Sequence, residues 1–147
     1  MEIMSKFSEN LSALMQERNL KAPALAKILK TDRSNITRYL RGERLPRYHG
    51  FLSLLEFFNC SADVLLGLKD YAPSCEFSPP TSSFGERFRI LLKETNTSQY
   101  SLVEQANISG ECIFKWLNDV RFPSVPNLVT LATFMDISVD YLLGRIR

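Results

Sequence analysis

Apolar residues recur along the chain at the spacing of an α-helix. Phe7, Leu11, Leu14 and Met15 fall on one helical face, which predicts a first helix over 6–19. The same periodicity predicts four more helices in this half of the chain, over 22–29, 33–41, 47–58 and 62–66. No run combines a strand period with hairpin turn residues. The pattern therefore predicts an all-α fold.

The helical pattern occurs twice. Segment 7–68 aligns without gaps on segment 84–145, and 17 of the 62 aligned positions are identical. The closest match pairs SADVLLG with SVDYLLG near the two carboxyl ends. Between the copies, segment 71–83 (YAPSCEFSPPTSS) is rich in Pro and Ser, which predicts a linker. We therefore predict two five-helix domains, over 1–70 and 84–147.

Capping residues mark several of the predicted helix ends. Ser83 followed by Glu86 forms a capping box before the first helix of the second copy. Asp32 stands at the N-cap position of the third helix, where its carboxylate can accept from the first turn. Gly42 follows that helix as a left-handed residue. Asp119 takes the corresponding position in the second copy, where Asp is tolerated at some cost.

Composition excludes several classes of protein. The chain is 45% hydrophobic and 23% charged, and no apolar run approaches the ~20 residues of a membrane span. Cys60, Cys75 and Cys112 match no metal or disulfide pattern, so we expect free thiols, and His49 is expected at the surface. We find no catalytic constellation and no phosphate-cradling loop, so we expect neither an enzyme nor a cofactor or metal. The amino terminus has no hydrophobic signal core, which predicts a cytoplasmic protein.

The net charge of +2 is unevenly distributed along the chain. Between Lys21 and Arg47 there are eight basic and two acidic residues, a balance of +6. The corresponding stretch of the second copy, 98–124, has two basic and three acidic residues. A basic stripe around one helix pair is typical of nucleic-acid binding.

The short helix, three-residue turn and second helix in each copy form a helix-turn-helix arrangement. The residues that carry it are APALAKILKTDRSNITRYLRGERLP in the first copy and SQYSLVEQANISGECIFKWLNDVRFP in the second. With the trailing Arg-x-Pro and the LLG ending, each copy resembles the phage-repressor/Cro (XRE) family of transcriptional regulators. The resemblance covers nearly the whole chain except the linker. It implies two lambda-repressor-like DNA-binding domains in tandem.

In this family the third helix enters the major groove and presents side chains to base edges. Ile36, Tyr39 and Leu40 are expected to point inward. The resemblance then assigns base reading to the outward face of the first copy: Arg33, Ser34, Thr37 and Arg38. It assigns phosphate contacts to the helix ends and the following loop: Lys21, Lys30, Asn35, Arg41 and Arg44.

The second copy departs from this pattern. Gly110, Glu111 and Phe114 replace Arg33, Ser34 and Thr37, so the start of its third helix loses its basic and hydroxyl side chains. A partial set of DNA contacts is retained: Gln99, Lys115, Asn118 and Arg121. Three apolar side chains indicate a candidate protein interface: Phe114, Val120 and Phe122. Trp116, which aligns with Tyr39, is expected in the core.

The function predicted from these patterns is sequence-specific transcriptional regulation. The chain is predicted to be a repressor whose first copy binds double-stranded DNA. We expect a homodimer and no membrane association. For the second copy three roles remain open: dimerisation, weak binding to a second DNA element, or binding of a protein or small ligand. The alternative for the whole chain is a protein-interaction module or antitoxin-like partner.

Overall fold

The computed structural model of the chain describes residues 2–71 and 76–146. Within them the regular elements are α-helices and no strand is present. The prediction of an all-α fold is therefore confirmed. The chain divides into two compact units, Met1–Ser74 and Cys75–Arg147, called unit 1 and unit 2 below.

Each unit contains five helices in its described part. Those of unit 1 are α1 (Glu2–Glu17), α2 (Ala22–Leu29), α3 (Arg33–Leu40), α4 (Tyr48–Phe58) and α5 (Ala62–Leu65). Those of unit 2 are α6 (Phe84–Glu94), α7 (Gln99–Glu104), α8 (Gly110–Leu117), α9 (Val125–Met135) and α10 (Val139–Leu142). Both ends of α3, α4 and α5 lie 77 positions before the ends of α8, α9 and α10. The sequence repeat is therefore also a repeat of helix positions.

Unit 1 closes a core of its own around the apolar stripes of its helices. Phe7 and Leu11 of α1, Leu25 of α2 and Ile36 of α3 have no exposed surface. Leu14, predicted on the same stripe of α1, is half-buried. The α1 helix packs against α3 and α5, and α2 packs against α3 and α4. Burial of these stripes fixes α3 between α1 and α2.

Unit 2 repeats this core, with Phe88 and Trp116 in place of Leu11 and Tyr39. Phe88 of α6, Leu102 of α7 and Ile113 of α8 are buried at the positions of Leu11, Leu25 and Ile36. Trp116 is 3% exposed, and its ring centroid lies 6.3 Å from that of Phe88. Because Trp116 is buried, its prediction as a core residue is confirmed.

The bounds of two helices, α1 and α7, differ from the prediction by two residues or more. The first helix was expected over 6–19, but α1 begins at Glu2 and ends before Asn19. An acidic residue in the first turn is favourable at a helix amino terminus, and Asn19 adopts φ +52°, which ends the helix. In the second copy, the sequence pattern predicts the second helix over 99–106, but α7 ends at Glu104. Its last turn is closed by the Ile108 amide, which donates to the Leu102 carbonyl at 3.1 Å.

Of the two predicted N-caps, Ser83 and Asp32, one is confirmed and one is wrong. The Ser83 hydroxyl accepts a hydrogen bond from the Glu86 amide at 3.2 Å, as expected. Asp32 occupies the N-cap position of α3, but its side chain makes no capping hydrogen bond. The backbone amide of Asn35 donates instead to the backbone carbonyl of Asp32, at 3.0 Å. The prediction of a carboxylate cap on α3 was therefore wrong.

Candidate nucleic-acid interface

The face of α3 that points away from the core is polar and basic. Ile36 is 0% and Tyr39 is 9% exposed, whereas Arg33, Ser34 and Arg38 are exposed. With 3.6 residues per turn, the outward arc covers roughly 140° of the helix and holds Arg33, Ser34, Thr37, Arg38 and Arg41. The four predicted base-reading side chains thus lie on one side of α3, together with one predicted phosphate contact.

Thr37 lies within this face and Leu40 lies at its margin, and both side chains are half-buried. The Thr37 hydroxyl donates to the Arg33 carbonyl at 3.0 Å, within the same helix. Leu40 was expected to point inward and is only partly covered. Its carbonyl accepts a hydrogen bond from the Ser8 hydroxyl of α1. This bond ties the carboxyl end of α3 to the long first helix.

The turn between α2 and α3 consists of Lys30, Thr31 and Asp32, as predicted. Lys30 adopts φ +56° and closes α2. The Asn35 amide nitrogen of the side chain donates to the Thr31 hydroxyl at 3.0 Å. The oxygen of the same side chain accepts from the Arg44 guanidinium at 3.2 Å. Two predicted phosphate contacts, Asn35 and Arg44, are therefore held together across the start of α3.

Arg44 keeps donors for a ligand, because a guanidinium carries five N–H groups and this hydrogen bond uses one of them. Its charge also lies near Tyr39. Burial raises the pKa of the Tyr39 phenol, while the positive charges of Arg44 and Arg47 oppose that rise. The buried phenol is therefore neutral near pH 7, and Arg44 and Arg47 bring positive charge to the exit of α3.

The basic stretch of unit 1 is not neutralised by the chain itself. Seven of the eight Lys and Arg residues from Lys21 to Arg47 are exposed, and Arg44 is half-buried. Across residues 2–71, none of these eight pairs with a carboxylate within 4.0 Å. Asp32 and Glu43, the two acids of the stretch, thus leave the excess charge in place. Such a surface attracts polyanions.

Two of these cations occupy helix N-cap positions. Lys21 precedes α2 and Arg47 precedes α4, and neither side chain makes a capping hydrogen bond. In unit 2 the same positions hold Ser98 and Ser124, whose hydroxyls accept from first-turn amides at 3.0 and 3.3 Å. A cation at the amino end of a helix is electrostatically unfavourable. Arg47 was not among the predicted phosphate contacts. Its alignment with the capping residue Ser124 could have identified it as a cation at an unfavourable position.

The corresponding face of unit 2 has a different character. The Glu111 carboxylate and the Lys115 ammonium of α8 form a salt bridge at 2.8 Å. The hydrogen bond from Lys115, together with its charge, lowers the pKa of the exposed Glu111 carboxyl. Gly110 is exposed and contributes no side chain. This pairing occupies Lys115, one of the four DNA contacts predicted for the second copy.

The other three predicted contacts of unit 2 are exposed. Gln99 lies at the start of α7 and Arg121 lies in the segment after α8. The Asn118 side-chain amide donates to the Phe114 carbonyl at 2.8 Å, so it is held against its own helix. The basic charge of this face is therefore reduced to Arg121 and a paired lysine.

Apolar side chains stand out on the same side of α8 and in its neighbouring segments. Phe114 is 64% and Val120 is 65% exposed, as expected for the predicted protein interface. Phe122 differs from them, because it is half-buried. Tyr100 of α7 is 74% exposed and was not predicted. Tyr100 aligns with Pro23 of unit 1, which is also exposed. The repeat could therefore have indicated that Tyr100 lies on the surface.

The remaining candidate residues add no further chemistry. Cys60 and Cys112 are half-buried, His49 is exposed, and Cys75 lies outside the described residues. Within 2–71 and 76–146, no cluster of three or more His, Cys, Asp or Glu residues has a geometry for holding a metal ion. None of the helices in those ranges has the length and apolar character needed to cross a bilayer.

No family model, curated protein or solved structure matches the chain. The features of this chain that bear on DNA recognition are the helix-turn-helix arrangement of α2 and α3 and the basic outward face of α3.

Proposed function

We propose that this chain is a sequence-specific DNA-binding transcriptional regulator, a repressor of the phage-repressor/Cro type with two lambda-repressor-like units joined by a linker. In unit 1, α3 enters the major groove. Arg38 and Arg33 donate to guanine, whose O6 and N7 match the planar guanidinium fork. Ser34 and Thr37 contact either a base or a phosphate.

The observation that carries this proposal is the uncompensated positive charge around α3. Besides Arg33 and Arg38, five cations lie on α3 or close to it in the chain: Lys21, Lys30, Arg41, Arg44 and Arg47. No carboxylate of the described residues pairs with any of these five. A purely structural role for this helix pair does not require such an excess of like charge. Contact with negatively charged phosphates would offset that repulsion, and the release of counterions from DNA would favour binding further.

For unit 2 we propose a role in self-association, so that a homodimer presents two copies of unit 1. The exposed Phe114 and Val120 support a protein contact at the position where unit 1 reads DNA. In dimers of this type the two half-sites lie about one helical turn, roughly 34 Å, apart. Because these same side chains suit a different protein equally well, a protein-interaction module or antitoxin-like partner is the second candidate.

Selection from a pool of random DNA duplexes with the full chain tests the proposal. The expected result is one enriched motif with two half-sites related by symmetry, together with twice the chain mass in sedimentation equilibrium. An enriched single half-site with a monomeric mass would retain DNA reading and reject the dimer. A pool without any enriched motif would reject the regulator and favour the interaction module.

A further inference from the structure

Part of the predicted linker is packed against unit 2. The guanidinium of Arg145 lies over the Phe77 ring, with 4.7 Å between the guanidinium carbon and the ring centroid. The next amide along the chain, that of Ser78, donates to the Arg145 carbonyl at 2.9 Å. Phe77 and Ser78 are half-buried, whereas Tyr71, at the other end of the linker, is 82% exposed. Residues 76–78, called the strap below, are therefore held by both the side chain and the backbone of Arg145.

Arg145 is anchored in turn by α10. Its guanidinium forms an ion pair with the Asp140 carboxylate, and its backbone amide donates to the Asp140 carbonyl at 3.0 Å. Arg145 is 2% and Asp140 is 1% exposed. A buried ion pair is favourable only when its geometry is close and water is excluded, because both charges lose their hydration. The Phe77 ring covers the guanidinium on one side and attracts it, so the strap contributes to the burial of this pair.

Unit 1 has the same backbone turn but a different side chain at its end. Asp63 aligns with Asp140 and is likewise buried, and its carbonyl accepts from the Leu68 amide at 2.8 Å. Leu68 aligns with Arg145 but is 42% exposed. The turn itself therefore does not require an arginine at this position. Arg145 occurs in the copy whose first helix is preceded by the linker, and it is the residue to which the strap binds.

We propose that the bound strap sets the spacing of the DNA half-sites that the chain prefers, with Phe77 and Arg145 as positioning residues. This inference rests on the proposed function, in which a dimer formed through unit 2 presents two copies of unit 1. With the strap bound, the four residues 72–75 connect Tyr71 to it. With the strap released, the 12 residues 72–83 connect Tyr71 to α6. Because the range of spans that a connection can bridge grows with its length, the bound strap narrows the range of half-site spacings.

Hydrogen exchange of the full chain, measured for each amide by NMR, tests whether the strap is held. The Ser78 amide should exchange slowly, and Phe77→Ala should accelerate its exchange about tenfold or more, because its hydrogen bond then opens more often. Tyr71→Ala, which removes an exposed aromatic from the same linker, should leave the exchange of Ser78 unchanged. Exchange of Ser78 that is equally fast in the unmodified chain and in Phe77→Ala would overturn the proposal.

A second pair of variants separates the backbone contact from the side chain. Ser78→Pro removes the N–H group that binds the Arg145 carbonyl and should release the strap. Ser78→Ala keeps this N–H group and is the matched control. The Trp116 fluorescence of each variant checks that unit 2 is still folded before DNA is added.

Binding to duplexes that carry the two selected half-sites at a series of spacings tests the positioning role. The unmodified chain and Ser78→Ala should lose about tenfold or more in affinity when the preferred spacing changes by half a helical turn, roughly 17 Å. Phe77→Ala and Ser78→Pro should reduce this loss to about threefold or less. A duplex with a single half-site should bind all these proteins equally, because the strap does not contact DNA.

The two ways in which the inference could fail give different results. A spacing profile that is the same in the unmodified chain, Phe77→Ala and Ser78→Pro would overturn the positioning role and leave DNA reading by α3 in place. Failure of the unmodified chain to bind any duplex would reject the proposed function together with the positioning role.

Discussion

The Asp119 carboxylate accepts a hydrogen bond from the Gly85 backbone amide at 2.9 Å. Asp119 follows α8 in the left-handed conformation at φ +57°, and Gly85 lies in the first turn of α6. The strain of a non-glycine residue in that conformation is offset by this bond and by the favourable position of an acid at a helix amino terminus. In unit 1 the corresponding junction uses Gly42, at φ +71°, and the Ser8 hydroxyl. The two copies thus join their first and third helices by different hydrogen bonds.

Gly85→Ala is expected to destabilise unit 2. A Cβ atom at this position would lie 2.5 Å from the Leu117 carbonyl oxygen, and backbone cannot move aside without disturbing α8. The free energy of unfolding should fall by about 1–3 kcal/mol. Trp116 is the single tryptophan of the chain, so its fluorescence during urea denaturation reports on unit 2. Gly110→Ala is the matched control.

The control is expected to act in the opposite direction. A Cβ atom at Gly110 would meet no atom within 4 Å, and alanine is a better helix former than glycine. Unit 2 should therefore gain up to about 1 kcal/mol. Equal and small effects of the two substitutions would contradict the close approach of α6 and α8 described above.

Arg38→Ala is expected to weaken binding to the selected DNA site by about 1–3 kcal/mol and to relax the preference at one base pair. Arg38 is exposed on the outward face of α3 and can reach a guanine edge with both arms of its guanidinium. Competition between the selected duplex and single-base variants measures the preference. Lys27→Ala removes the same charge from α2 and serves as control. If Arg38→Ala weakens every duplex to the same extent, Arg38 contacts the backbone instead.

Lys30→Gln is expected to weaken binding to all duplexes alike. Lys30 is exposed in the turn before α3, where the family resemblance implies a phosphate contact. Loss of one such contact should make the negative slope of log K against log salt shallower by about 0.9. Binding of the selected and a scrambled duplex at three salt concentrations gives this slope. A slope equal to that of the unmodified chain would place Lys30 away from the DNA backbone.

Glu111→Gln is expected to increase the affinity of the full chain for random-sequence DNA. The substitution breaks the 2.8 Å salt bridge and frees Lys115 on the outward face of α8. Because the pKa of Glu111 is lowered in the folded chain, the pair is fully formed above the ordinary carboxyl pKa and is lost as pH falls through the lowered value. Asp136→Asn neutralises another exposed acid of unit 2 and is the control. A response to Asp136→Asn as large as that to Glu111→Gln would indicate a general charge effect.

Most of the fold could be predicted from the sequence because local rules and tertiary packing agree. The spacing of Phe7, Leu11 and Met15 gave the buried face of α1, and glycine at position 42 gave the left-handed end of α3. The predictions failed where backbone hydrogen bonding competes with side chains. The backbone amide of Asn35 donates to the backbone carbonyl of Asp32 and not to its carboxylate. The residue types alone do not determine which of these two acceptors is used.

The candidate interface could be predicted only in part. Alternation of buried and exposed positions along α3 identified Arg33 and Arg38, because helix geometry alone fixes their side of the helix. The hydrogen bond from the Arg89 guanidinium to the Leu117 carbonyl in unit 2 required the tertiary structure, since the two residues are 28 positions apart in the chain. Arg47 could have been found from the repeat, because it stands where unit 2 has a capping serine.

Under the proposed function, the N-cap cations of unit 1 exchange helix stability for DNA binding. Lys21 and Arg47 occupy positions where Ser98 and Ser124 cap the helices of unit 2. Departures from local structural preference concentrate at functional sites. We therefore expect that restoring the serines reverses the exchange.

Lys21→Ser and Arg47→Ser are each expected to stabilise unit 1 by about 1 kcal/mol, since a serine N-cap satisfies a first-turn amide. Under the proposed function, each should also make the negative slope of log K against log salt for random duplexes shallower by about 0.9, because it removes one cation that contacts phosphate. Urea denaturation followed by far-ultraviolet circular dichroism measures the change in stability, and the Trp116 fluorescence transition of unit 2 should stay unchanged.

Ser124→Ala, which removes a cap from unit 2, is the matched control. It should cost about 1 kcal/mol and shift only the Trp116 fluorescence transition. Higher stability with an unchanged slope would mean that these cations do not contact DNA, and lower stability would mean that the serines do not cap.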